Sequence, residues 1–480
     1  RNRLWGEAYA LRAWFQWDLL QKFGGRGTDG RLLGYPILLE PVRVWEMSPE
    51  EMRDLRFERN TYDDCVKQIL RDCDSAYKYL PIAHRDFLVP NADDRRVLGA
   101  QNWGRLDGIS TVAIKALVYL TWASPRFNPD GDMERWQKAA ECAKEVMDFK
   151  MTVDNVSGGF SVGRQVDWCD PNNPEIVYAS RYKSSNDDME RAFYPGGFQG
   201  NGTMGATQEL VDAFGMADGY PVGESPNYTY DPANPYLNRD PRFYSTVYYD
   251  GVTVRLENGQ YEVETFVGGN CGLSLSPSSR RNTCTGYYLR KFNNVQSSTS
   301  GGNKDGYIRM YRVAELYLNF AEAAYRAYGN ADQQAPATQV TEIEEENGEE
   351  VEKVNTYGTP MSAREAVNAV RARVGMPGVA DNGDAFWLRL CNERRVELAF
   401  EEHRFFDVRR WSKPDGDLSK TDKRVTGMRI EESNGQKTYT RFAFNRQNYT
   451  AKYLKYPVSL DEVRKMLSLT GDNWQNDGWN

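Results

Sequence analysis

Apolar residues recur at three- and four-residue intervals along much of the chain, and each such block predicts a helix. In the run Glu7–Phe23, Ala8, Leu11, Phe15 and Leu19 form one stripe that Trp14 and Trp17 widen, and Gly24-Gly25 stops it. The stripe is expected to be buried, with Trp14, Trp17 and also Trp122 in the core. Thr61 to Leu80 begins with an N-cap Thr before an acidic turn and ends at Pro81, and Asp107 to Ala123 ends before Ser124-Pro125. Asp132–Phe149, Thr203–Phe214, Tyr307–Tyr328, Ser362–Val374 and Ala385–Trp411 complete the expected helices. The fold class is therefore mainly α. Paired helices suggest a tetratricopeptide-like scaffold without its strict repeat signature.

Between Phe149 and Tyr307 the pattern gives way to Gly, Pro, Asn and Tyr, and prolines from Pro171 to Pro241 forbid long helices. Three Asn-Gly pairs sit between alternating runs and predict hairpins: Asn258-Gly259, Asn347-Gly348 and Asn434-Gly435. The acidic run Glu342–Glu352 then reads as a solvated hairpin. This divides the chain into a helical part, 1–149, a loop-rich insert, 150–306, and a second helical part, 307–480.

Composition narrows the chemistry. With 60 Lys and Arg against 68 Asp and Glu, the net charge of −8 argues against a nucleic-acid binder, which needs a basic face. No stretch approaches the roughly 18 apolar residues that span a bilayer. Two histidines, His84 and His403, leave little material for a multi-histidine zinc site. Seven Cys are an odd count; Cys65 and Cys73 lie too far apart on one helix to pair, while Cys271 and Cys284 flank a Gly/Ser-rich segment and could form a disulfide. Aromatic residues reach 13%, and Tyr and Trp serve both as packing and as stacking surfaces for sugars.

The most conspicuous motif is NERRVELAFEEHRFFDVRRW, Asn392–Trp411, where charges of both signs alternate around Val396, Ala399, Phe400 and Phe406. Glu397 and Glu401 lie on one helix face. A glycosidase flanks the scissile bond with carboxylates from two sides, about 5 to 9.5 Å apart, so these two read as part of an ion-pair network and His403 as a hydrogen-bonded packing residue.

In order along the chain, EAYALRAWFQWDLLQKFGG from Glu7, WQKAAECAKEVMD from Trp136, TQELVDAFGMADGYPV from Thr207, NRDPRFYSTVYYDG from Asn238, RVAELYLNFAEAAYRAYG from Arg312, VNAVRARVGMP from Val367 and the Asn392 motif resemble the SusD/RagB family of outer-membrane nutrient-binding lipoproteins from Bacteroidetes. The terminal Pro-Ile-Pro and Gln-Asn-Pro-Gly pattern of the family appears in drifted form as Tyr456-Pro457-Val458 and Gln475-Asn476-Asp477-Gly478. The family's N-terminal portion, with its lipidated Cys and some ligand-binding aromatics, has no counterpart in this numbering.

The resemblance implies capture of a glycan, or sometimes a peptide, at the cell surface, delivery to a SusC-like TonB-dependent transporter, and a lipid anchor upstream of residue 1. No catalytic residue and no cofactor is implied. A metal is possible in some relatives, and the resemblance assigns no ligand set for one to these positions, so the metal site stays open. The loop before Thr207 is implied to contribute the binding surface. Within it, Tyr182, Phe193, Tyr194 and Phe198 are the candidate stacking planes and Arg181, Arg191 and Asn201 the polar anchors, on a Gly- and Pro-rich backbone that could project them into solvent. Trp168 and Trp45 are second-tier candidates. Two other classes stay open. One is a cytoplasmic helical-repeat adaptor for peptides, which a precursor without a signal peptide would favour. The other is a glycoside hydrolase, which product formation lost with one carboxylate would reveal.

Overall fold

A computed structural model describes residues 1–89, 91–153, 175–180, 192–198, 200–256, 259–275, 281–292, 308–346, 349–412, 425–444 and 450–479. The fold is mainly α, and every sheet among the described residues is a two-stranded antiparallel pair. The chain forms two compact units, Arg1–Val146 with Phe405–Thr421 and Asn448–Asn480, and Met147–Arg404 with Asp422–Gln447.

In the first unit the helix Asn2–Phe23 packs on Tyr62–Tyr79, which packs in turn on Gly108–Ala123. The Thr61 hydroxyl accepts the Asp64 amide at 3.1 Å and the Asp107 carboxylate accepts that of Ser110 at 2.8 Å, caps of about 1 kcal/mol each. The face that Asn2–Phe23 buries is not the expected one. Gly6, Ala10, Ala13, Trp17 and Leu20 are buried, while Ala8, Leu11, Phe15 and Leu19 are exposed, Phe15 to 65%. Small residues decide it, because they let two helix backbones approach: a Cβ at Gly6 would sit 2.6 Å from Leu80 Cγ. Trp17 is core, whereas Trp14 and Trp122 are half-buried. Trp122 donates to Asp63 at 2.7 Å beneath the Arg135 guanidinium.

The same unit fixes the chain's last residues. Arg59 donates to the carbonyls of Gly34, Trp474 and Phe23, and Asn476 donates its amide to Phe23 and Tyr456 carbonyls. The drifted Gln475-Asn476 ending thus ties off the exit of the first helix.

In the second unit Val313–Tyr328 runs through the core with Val313 to Ala324 buried, packed by Ala363–Ala372 and Gly383–Glu397. The expected helix from Tyr307 is shorter. Ile308–Arg312 pairs instead with Ile176–Ser180 as strands, in keeping with its β-branched Ile308 and aromatic Tyr311. Ala385–Trp411 is two helices, Gly383–Glu397 and His403–Arg410, separated where Phe400 and Glu402 take φ of 64° and 67°. Thr203–Phe214 shrinks to Gln208–Ala213 behind a Thr207 cap.

The hairpins follow their turns. Asn434 and Gly435 adopt φ of 52° and 76°, and Ser433 faces Gln436 across the primed turn that they make. Thr338–Glu346 pairs with Glu349–Tyr357 as expected. In the third, Leu256 faces Gly259, so Gly259 belongs to the strand and the register sits one residue earlier than the Asn-Gly pair suggests. Cys271 and Cys284 are free thiols, the first buried and the second exposed. That Cys271–Cys284 disulfide is therefore not formed.

Candidate functional site

The loop entering the Gln208–Ala213 helix is built around a small aromatic core. Tyr194 and Phe198, expected to face solvent, are 1% and 8% exposed and pack with Tyr248, Val254, Val263, Cys271 and Tyr288. Tyr194 stacks on Tyr248 at 6.4 Å, and Phe198 meets Tyr261 at 5.8 Å. The glycines fold the loop back over this core instead of projecting it. The Gly202 amide donates to the Tyr194 carbonyl at 3.0 Å, and a Cβ at Gly200 would collide with that carbonyl. Phe193, half-buried beside Phe292, and half-buried Asn201 remain at the surface. Arg181, Tyr182, Arg191 and Trp168 lie outside the described residues. Trp45, in the other unit, is 75% exposed on a short helical turn, Val44–Glu46.

The Asn392 motif forms a buried ion cluster. Arg242 bonds Asp240, Glu393 and Glu397; Arg371 bonds Glu393; Arg373 bonds Glu175 and Glu397; Arg312 bonds Glu397 and Glu401; Lys291 bonds Glu401. Burial alone would push the Glu397 carboxyl upward. The charges of Arg373, Arg312 and Arg242 overcome this and hold it well below the usual carboxylate range. Glu401 is likewise opposed by burial but drawn down to about 2 by Arg312 and Lys291. With each carboxylate held by two or more cations, Glu397 and Glu401 have no role left as an acid/base pair, and the ion-pair reading holds. His403 Nε2 lies 3.4 Å from Glu315 in the packing role expected of it.

Beside this cluster opens a cleft of about 500 Å³ that the sequence did not reveal. One wall is the turn after Gln208–Ala213, from Asp212 to Pro221, and the other is the outer face of Gly383–Glu397. Gly219 holds φ of 87°, and a Cβ there would strike the Arg371 guanidinium, so the Asp218-Gly219 step brings backbone against charge. Asp218 pins the turn by accepting from Ser225 at 2.6 Å and Asn227 at 3.1 Å. Arg371 is 7% exposed; its Nε reaches the Pro377 carbonyl at 2.6 Å and its Nη1 Glu393 at 2.9 Å, and its Nη2 has no hydrogen-bond partner among the described residues. Tyr220 and Leu388 form the rim, 42% and 62% exposed. The DGYP sequence and the exposed Leu388 beside Arg389 on the half-buried Gly383–Glu397 helix were the available signals.

Among the described residues no group of three His, Cys, Asp or Glu could hold a metal ion, and no helix is long and apolar enough to cross a membrane.

Solved structures share this architecture. A SusD-like protein from Bacteroides fragilis aligns with 23% identity and a TM-score of 0.68 over 100% of this chain and 80% of its own. A SusD-like carbohydrate-binding protein from the same species aligns at 18% and 0.61 over 97% and 79%. Surface glycan-binding protein A from Bacteroides uniformis aligns at 17% and 0.54 over 98% and 77%. No curated protein sequence matches. The model of the SusD family matches residues 132–479, which include the buried ion cluster, the cleft and the Asn476 anchor; the chain belongs to the SusD family.

Proposed function

We propose that this protein captures a glycan at the cell surface and passes it to a SusC-like TonB-dependent transporter in the outer membrane, held there by a lipid anchor. The family match over residues 132–479 carries the reading. It is supported by the two structural relatives described as carbohydrate- or glycan-binding. Capture needs no covalent step. It needs a preformed surface with apolar planes for sugar rings and amides or guanidiniums for hydroxyls, and Phe193, Asn201 and the expected partners Arg181, Tyr182 and Arg191 are of those kinds.

An anchor confines protein and transporter to one surface and raises their effective concentration, so modest affinity suffices for transfer. Exchange with ligand is fast, because slow release would stall delivery. The test is electrophoresis of the native protein through gels containing single polysaccharides, paired with purification of the transporter from solubilised membranes. Saturable retardation by a glycan without product formation, and recovery of the transporter, are expected. Retardation by no glycan together with peptide binding would move the protein to a peptide cargo. Product that disappears with one carboxylate would make it a hydrolase.

A further inference from the structure

We infer that the cleft between Asp212–Pro221 and the Gly383–Glu397 helix is a subsite for one sugar unit of that glycan, an uncharged ring. The inference rests on the glycan-capture reading above and adds the place and the class of the sugar. Its volume of about 500 Å³ lies within the roughly 300–1,000 Å³ of small-ligand sites and is far too small for a polymer, so it takes a terminal or side-branch unit.

The cleft combines the two kinds of group that a sugar ring needs. Tyr220 and Leu388 offer apolar area at the rim, where an aliphatic ring face can lie. Below them unspent polar atoms converge. Arg371 is mostly buried, its Nε and Nη1 are bonded to Pro377 and Glu393, and its Nη2 makes no hydrogen bond among the described residues, so that donor is open to water or to a ligand hydroxyl. Asn392 spends its amide nitrogen on the Ala213 carbonyl at 2.9 Å, leaving its oxygen to accept. Arg389 holds Asp381 through Nε alone, at 3.2 Å, so both side chains keep capacity. Donors and acceptors standing side by side suit hydroxyls, each of which both gives and receives.

Charge selects the class. The lining holds Arg242, Arg371 and Arg389 against Asp212, Asp240, Glu224, Asp381 and Glu393. Arg242 and Arg371 are already paired with Asp240 and Glu393 while Arg441 pairs with Asp212 from outside, so the cleft has no surplus of cations to hold a uronate or sulfated sugar. The floor is also rigid. Arg242 is locked between Asp240 at 2.7 Å and Glu393, so the subsite is formed before ligand arrives and little ordering is needed on binding.

The experiment uses gels containing amylopectin, xyloglucan, yeast mannan or polygalacturonate, followed by calorimetry with an oligosaccharide digest of whichever polymer retards the parent protein. Tyr220→Ala and Leu388→Arg change exposed rim positions, and unchanged melting temperatures establish that each variant folds. Each is expected to weaken binding about tenfold or more. Hydrogen exchange of the parent at saturation is expected to show protection of residues 212–221, a readout that needs no variant. Parent-like binding by both variants with no protection at 212–221 would overturn the subsite and leave glycan capture standing. Preference for polygalacturonate would overturn the uncharged class. Retardation of the parent by none of the polymers would overturn capture and subsite together.

Discussion

Glu397 and Glu401 show why residue type alone misleads. A carboxylate pair in an aromatic-rich chain suggests hydrolysis, but each oxygen is claimed by a cation: Arg312 Nη2 stands 2.9 Å from Glu397, and Arg312 Nε stands 2.6 Å from Glu401. Buried charges in this state are committed to one another, because removing one partner leaves the rest desolvated and unpaired. Arg312→Met is therefore expected to lower stability by about 3–5 kcal/mol in urea unfolding. Arg312→Met combined with Glu401→Met is expected to cost less than the sum of the single changes, since the second removes a charge that the first orphaned. Additive losses would mean that the two groups act separately. Tyr194 carries the opposite correction. As a buried ring stacked on Tyr248, it belongs to the fold, and Tyr194→Ala is expected to cost about 3 kcal/mol in the same measurement. A variant of unchanged stability would show that the ring lies at the surface after all.

At the scale of elements, the helices of the core were legible where caps and periodicity agreed, as at Thr61 and Asp107, and the Asn434-Gly435 hairpin was legible from its turn and the alternating runs beside it. What stayed hidden depended on partners far along the chain. The break at Phe400 and Glu402 is written nowhere in the local pattern; it exists because Glu401 must turn back to Arg312 and Lys291, whose bonds offset about 1–3 kcal/mol of backbone strain at each position. The cleft was hidden for the same reason, since Gly219 and Arg371 meet only in the fold. The first helix gives the sharpest case. Ranking by hydrophobicity selects Leu11, Phe15 and Leu19, whereas packing selects Gly6, Ala10 and Ala13, because close approach needs small side chains more than large ones. In the 480-residue chain, Phe15→Gln is expected to change stability by no more than about 0.5 kcal/mol. Ala13→Leu should cost about 1–3 kcal/mol by overpacking against the neighbouring helix. Thermal melts of the two variants decide between the faces, and the reverse order of effects would restore the Leu11–Phe15 stripe to the core.

At the scale of the whole molecule, the cluster makes stability depend on acid. Glu393, Glu397 and Glu401 all titrate lower in the folded chain than a free Glu, for which about 4.3 is usual: burial opposes the shift and the neighbouring guanidiniums and Lys291 impose it. Below that value the unfolded chain takes up protons that the folded chain refuses, so acid favours unfolding. The stabilisation is complete above about pH 5, and it erodes as pH falls through the free-Glu range toward the folded value of about 2 at Glu401. The melting temperature is thus expected to be flat from about pH 7 to 5 and to fall steeply from about pH 4.5 to 2.5. Added salt should blunt the fall only slightly, because these pairs lie beyond the reach of screening ions. Arg312→Met provides the control, since it releases Glu397 and Glu401 from part of their downward shift and should flatten the acid limb while lowering the whole curve. If the acid limb of that variant is as steep as the parent's, the dependence originates in other carboxylates and the cluster stabilises the fold by packing alone.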